Sequence, residues 1–209
     1  MPGYKKDWHL GLRSSKDQKL LAFISGTPCK LNVSDLTVKT AEINFLCVHR
    51  KLRQKRLTPL MIKEVTRRIN LCEVWQAIYT SGSIFPTPVA YANYFHRNLN
   101  PRKNLETGFS GKPEQWSMAH YVKMNKVMPL DQVPIKGGPR LMTKADYASV
   151  YALYKAKMAN MKCAFKYTQD ELGHQLMPRD GVVYTIVIEH NDKSITDFVS
   201  FYNLPSQIL

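Results

Sequence analysis

At 209 residues, with 44% hydrophobic and 22% charged side chains, the chain has the composition of a folded protein able to bury a core, which argues against intrinsic disorder. Thirty Lys plus Arg against sixteen Asp plus Glu give a formal charge of +14, which favours an anionic partner: nucleic acid, an acidic membrane or a phosphorylated cofactor. No window holds the roughly 18 uninterrupted apolar residues of a membrane span, the start lacks a signal-peptide core, and the four scattered cysteines form no Cys-x-x-Cys pair, so a cytoplasmic setting with free thiols and no metal site is expected.

Residues 20–25 and 41–48 are short apolar runs bounded by polar residues, as strands are. The second run is the denser and is expected at the centre of a sheet. A basic stretch over residues 50–56 follows. Leu57, Leu60, Met61, Val65 and Ile69 then recur at helical spacing, with Thr58 expected as N-cap and Pro59 at the first helical position. Residues 74–80 read as the next strand, and residues 89–97 as a further helix or strand segment.

Residues 103–139, rich in Gly, Pro and Lys, show no sustained period and are expected to connect two units. Thr143 with Asp146 makes a capping-box-like start for a helix through about Met158, and Thr168 with Glu171 opens a second short helix. Residues 182–190 and 195–202 read as a β-hairpin. Strand, basic turn, helix, strand is the central run of an acetyltransferase-type fold, and helix, helix, strand, strand is how such a fold opens. The expected class is therefore α/β (α+β): a GNAT-type mixed sheet with helices, with residues 1–138 as one unit plus connector. Residues 139–209 would form the opening part of a second, pseudo-symmetric unit.

Five Lys and Arg side chains lie between Arg50 and Arg56, directly after an apolar strand and before a helix start. Free N–H groups and partial positive charge at a helix start attract phosphate, and flanking cations add charge-assisted hydrogen bonds. A diphosphate fits there; a solvated basic turn fits the spacing as well. A nucleic-acid patch is disfavoured because no matching aromatic stacking surface or recognisable nucleic-acid module accompanies it.

Residues 42–59, Glu-Ile-Asn-Phe-Leu-Cys-Val-His-Arg-Lys-Leu-Arg-Gln-Lys-Arg-Leu-Thr-Pro, closely resemble the signature of eukaryotic glycylpeptide N-tetradecanoyltransferases, the N-myristoyltransferases. Residues 62–68, 75–80, 94–101 and 197–206 are similar to further blocks of that family, in the family's order. The resemblance implies an acyltransferase that moves myristate from myristoyl-CoA, a substrate rather than a resident cofactor, to the N-terminal glycine amine of proteins.

It also implies residue roles. The backbone N–H groups of Phe45 and Leu46 would form an oxyanion hole at a strand bulge. Cys47 and Val48 would line the acyl-CoA site, and Arg53, Gln54, Arg56, Leu57 and Thr58 would hold its phosphates. On residue type alone Cys47 reads as a buried packing residue, so its implied role is contact rather than reactivity. Asn44 and Thr80 would stand near the incoming amine, with Tyr94, His96 and Ser200 along the peptide groove. His49 reads as packing against the helix. Glycine-starting peptides are the implied partners, with peripheral ribosome or membrane association and no nucleic acid.

The family's aromatic block that folds over acyl-CoA, and its acidic peptide-binding segment, do not occur in the sequence. The family's general base is its own terminal carboxylate, which the mapping places beyond Leu209. A fragment lacking both ends is therefore expected, with a truncated, non-catalytic binder of acyl-CoA or glycine-starting peptides as the alternative. Thr58 and Ser81 stand where alanine is usual, and Phe95 where tryptophan is common.

Overall fold

The computed structural model describes residues 2–129, 132 and 136–205; Ser206 and Leu209 lie outside the described residues. The chain runs β1 (His9–Arg13), β2 (Leu20–Val33), β3 (Leu36–Val48), α1 (Leu57–Asn70), β4 (Gln76–Ile78), α2 (Pro101–Glu106) and α3 (Met118–Met124). It continues through β5 (Gly138–Leu141), α4 (Tyr147–Met158), β6 (Cys163–Phe165), α5 (Gln169–Leu176), β7 (Val183–Glu189) and β8 (Ile195–Tyr202). One sheet is ordered β1-β2-β3-β4 with β6 also paired to β2, and the second is ordered β5-β7-β8.

β3 and β4 are parallel, with Ala41 against Ala77, so a crossover must join them, and α1 is that crossover. Met61, Val65 and Ile69, four residues apart, face the sheet and are buried against Trp8, Leu10, Ala22, Ile24 and Ala41. Close approach of α1 requires Gly26, where an added Cβ would come 3.3 Å from Ile69 Cδ1 and 3.4 Å from Trp8 Cε3. Central placement of the run ending at Val48 is thus what the structure has, since β3 lies between β2 and β4.

A smaller core of Met142, Val150 and Val187, with Tyr147, Leu176, Ile195 and Phe198 packed on it, holds α4 to the second sheet. Arg140 on β5 ties the layers together. Its Nη1 and Nη2 donate to the two carboxylate oxygens of Asp146 at 2.8 Å each, and its Nε donates to Glu189. Asp146 also accepts from the Thr143 N–H and hydroxyl, forming the expected capping box. The Arg140 guanidinium, helped by Thr143, holds the Asp146 carboxyl well below the usual carboxylate range.

Arg140→Ala leaves a carboxylate with 7% side-chain exposure short of two donors, an expected loss of about 2 kcal/mol, below the buried-pair range because Arg140 is itself partly exposed. A carboxyl depressed on folding adds stability that is present above its unfolded pKa of about 3.9 and is lost as pH falls below it. The difference between the parent and Arg140→Ala should therefore shrink on acidification below about pH 4, as read by urea unfolding at a series of pH values.

Several expectations need correction. Residues 89–97 form neither helix nor strand, because the isolated aromatics there serve no common face. The connector from 103 contains most of α2 and all of α3, each nucleated by a side-chain cap, from Asn100 and Ser117, that outweighs its weak period. Strand β2 extends to Val33 rather than ending near Ser25. Thr58 is not the N-cap and Pro59 is not the first helical residue: the chain enters α1 two residues earlier, with Arg56 at the cap position and φ of 56°, so Thr58 and Pro59 lie inside the first turn.

The second hairpin and the Thr168 capping box are as expected. β7 pairs antiparallel with β8, and the Glu171 carboxylate accepts from the Thr168 N–H at 2.8 Å. Among the described residues no helix is long and apolar enough to cross a membrane.

Candidate active site

In the β2–β3 ladder Phe23 faces Cys47 and Ser25 faces Asn44, so Ile24 alone is opposed by both Phe45 and Leu46. This two-against-one arrangement is a β-bulge. Phe45 takes φ of 57°, a left-handed conformation that costs a non-glycine residue about 1–2 kcal/mol. The Ser25 hydroxyl, buried, donates to the Asn44 carbonyl at 3.1 Å and fixes the strand just before the bulge. Ser25 was not singled out from the sequence; as the last residue of an apolar run it gives no signal there.

The bulge lifts Phe45 and Leu46 away from the core, and they are 76% and 42% exposed. Cys47 is exposed as well, contrary to burial by residue type, because the bulge changes which residues face α1; Val48 turns back to pack on the first core. Burial, then the Glu42 carboxylate, pushes the Cys29 thiol up to about 11, so Cys29 is not an activated nucleophile.

Beyond Val48 the chain makes a tight turn before α1. The Leu52 N–H donates to the His49 carbonyl at 2.8 Å, and His49 Nδ1 accepts from the Lys51 N–H at 3.3 Å. His49, exposed, thus braces the turn. Arg53 Nε leans back on the Val48 carbonyl at 3.5 Å. Gln54 and Arg56 both have positive φ, 72° and 56°. Left-handed residues alternating with ordinary ones turn successive N–H groups inward, making an anion-binding concavity.

That concavity runs into the first turn of α1, where leading N–H groups have no carbonyl partners. Arg50, Lys51, Arg53, Lys55 and Arg56 are exposed, and among the described residues none of them forms an ion pair. Nothing in the sequence announces the left-handed residues, since neither is Gly or Asn.

The structure brings the Asn44–Val48 and Arg53–Thr58 groups together on the two ends of one short connection. Thr80 lies two residues past β4, and the register Thr40–Gln76 and Glu42–Ile78, if continued, sets it level with Asn44. The other implied residues lie on other elements. Tyr94 is 83% exposed on an extended segment, and His96 meets the Phe109 ring edge-on at 6.0 Å. Ser200 belongs to the second sheet, where its hydroxyl is hydrogen-bonded to that of Thr185 at 2.8 Å. Among the described residues no group of His, Cys, Asp and Glu is arranged to hold a metal ion.

The family profile described as Myristoyl-CoA:protein N-myristoyltransferase, N-terminal domain, matches residues 1–92, and the C-terminal domain of the same family matches residues 106–209. Glycylpeptide N-tetradecanoyltransferase 1 of Arabidopsis thaliana is 46% identical over 209 residues, covering 100% of this chain and 48% of its own length. The enzyme of Saccharomyces cerevisiae is 42% identical over 214 residues, covering 100% of this chain and 46% of its own. The crystal structure of Saccharomyces cerevisiae N-myristoyltransferase with bound myristoyl-CoA superposes with a TM-score of 0.90 at 40% identity, over 96% of this chain and 48% of that one.

The chain spans about half the length of the relatives it matches. Its mixed α/β architecture, expected from the order of elements, is that of the yeast neighbour. Matched end to end by the two domains of one family, the chain belongs to the N-myristoyltransferases.

Proposed function

We propose that this chain carries the acyl-CoA side of an N-myristoyltransferase, which transfers a myristoyl group from myristoyl-CoA to the N-terminal glycine amine of a protein. The observation that carries this reading is the bulge at Phe45 and Leu46, set directly upstream of the unpaired cations and left-handed turn before α1. The peptide N–H groups of Phe45 and Leu46 polarise the thioester carbonyl and hold the oxyanion that forms when the glycine amine attacks. Collapse of that intermediate breaks the C–S bond, and CoA leaves as the thiol. The amine must first lose a proton to a base.

Arg53, Gln54, Arg56, Leu57 and Thr58 hold the phosphates, while Cys47 and Val48 contact the acyl-CoA. In this reading residues 1–138 supply the acyl-CoA unit and residues 139–209 part of the peptide unit. Asn44 and Thr80 accept hydrogen bonds from the incoming ammonium, with Tyr94, His96 and Ser200 along the peptide path. The setting is cytoplasmic, in keeping with free cysteines.

The test is release of CoA by the full-length protein carrying this chain, with myristoyl-CoA and a glycine-starting peptide; transfer to an alanine-starting peptide at the same rate would overturn the reading. Binding of myristoyl-CoA without any transfer would mark the non-catalytic alternative. Thr80→Val, which keeps the shape and removes the hydroxyl, should raise the peptide KM by about 10-fold and leave that of myristoyl-CoA within about 2-fold. Equal effects on both substrates would show that Thr80 does not face the peptide.

A further inference from the structure

Helices α2 and α3, with the segments beside them, frame an open groove of about 580 Å³ whose lining residues have no part in the acyl-transfer reading. Its floor is apolar, with Leu99, Val122 and Val127 at 78%, 36% and 50% exposure. Arg102 of α2 stands on one wall, and Lys123 of α3 with Lys126 just past it on the other. All three cations are exposed, and among the described residues none of them forms an ion pair.

A polar network holds the two walls in place. Asn98 Nδ2 donates to the Tyr121 hydroxyl at 2.9 Å, and Asn104 Nδ2 of α2 donates to Asn98 Oδ1 at 3.0 Å. The Ser110 hydroxyl lies 3.2 Å from that of Tyr121, the buried residue of α3. Past α3, Asn125 Nδ2 donates to the Tyr121 carbonyl and Arg97 Nη2 to the Lys126 carbonyl, both at 2.9 Å. Walls fixed in this way leave little ordering for a partner to impose.

We propose that the α2–α3 groove docks an acidic amphipathic helix of a partner protein. An apolar stripe flanked by Asp and Glu is the complement of an apolar floor between cationic walls. An inorganic anion would leave the floor bare, and RNA would find no aromatic ring in the groove lining on which to stack a base. A second copy of this chain does not supply the helix. Among the described α-helices only α5 carries more acids than cations, and its Leu172 is already buried. The groove is separate from the bulge and from the turn before α1, so the proposal is independent of the acyl-transfer reading.

The experiment is fluorescence anisotropy with the full-length protein carrying this chain and a labelled helical peptide of leucine and glutamate, its leucines in one stripe. The same peptide with every leucine replaced by alanine keeps the charge and the helix, and should bind the parent at least several-fold more weakly. An exposed ion pair contributes up to about 5-fold, so Lys123→Gln with Lys126→Gln should weaken the leucine peptide by about 10-fold. Val122→Ser, which removes apolar surface from the floor, should weaken it by about 3-fold or more. Arg56→Gln removes a cation elsewhere and should leave binding within about 2-fold of the parent's. Melting temperatures near the parent's separate lost docking from misfolding, since the substituted side chains are exposed. Absence of parent binding overturns the proposal, as does full retention by the lysine variant. Equal binding of the alanine peptide, or an equal loss in Arg56→Gln, would show attraction by overall charge alone and overturn it too.

Discussion

Phe45→Pro is expected to lower kcat by about 10²–10³-fold, the cost of losing one oxyanion donor. Proline has no N–H, and its ring fixes φ near −65°, so it can neither donate to a thioester oxygen nor take the φ of 57° on which the bulge depends. Phe45→Gly is the matched control. Glycine keeps the N–H and adopts the left-handed conformation without strain, so its kcat should stay within several-fold of the parent. Calorimetric binding of myristoyl-CoA and the melting temperature report whether the proline variant is still folded and loaded. Similar loss in both variants would assign the effect to the phenyl ring and remove the backbone from the chemistry.

Arg56→Glu is expected to weaken myristoyl-CoA binding by about 10–100-fold, from loss of a charge-assisted hydrogen bond and introduction of repulsion next to phosphate. Arg56 is exposed and unpaired, so the substitution leaves no buried partner behind, and folding should be little changed. Titration calorimetry at two salt concentrations is the measurement. The gap between parent and variant should narrow at high salt, because exposed charges are screened. An unchanged affinity would move the phosphate site away from this turn.

Elements built on alternation were legible. In β7, Val183, Thr185 and Val187 point inward while Tyr184 and Ile186 stand between them, and the hairpin followed directly from that period. The length of β2 was not legible, because Gly26, Pro28 and Lys30 interrupt its apolar run. Pro28 is tolerated because it falls where β1 has ended and β6 has not begun, so one side of the strand has no neighbour to receive an N–H. The bulge was legible only through resemblance, whereas the basic turn before α1 could be read from its residues as a place where a phosphate would fit. Left-handed Phe45, Gln54 and Arg56 contradict local propensity; beside Phe45 the Ser25 hydroxyl braces Asn44 from the neighbouring strand, while the turn carrying Gln54 and Arg56 is closed by bonds among residues 48–55.

The pairing of β6 with β2 joins Val33 to Cys163, Asn32 to Ala164 and Leu31 to Phe165. Such a closure is far more non-local than the β2–β3 hairpin, and the entropy of bringing distant segments together must be met before their contacts reward it. On a ribosome the first sheet would wait for residues 163–165 to emerge before gaining its last strand. Refolding should therefore show a fast phase for the β1–β2–β3 meander and α1, and a slower one for docking β6. A cut between residues 92 and 106 would not release two autonomous halves, because the upstream piece would keep one flank of β2 bare at Leu31–Val33.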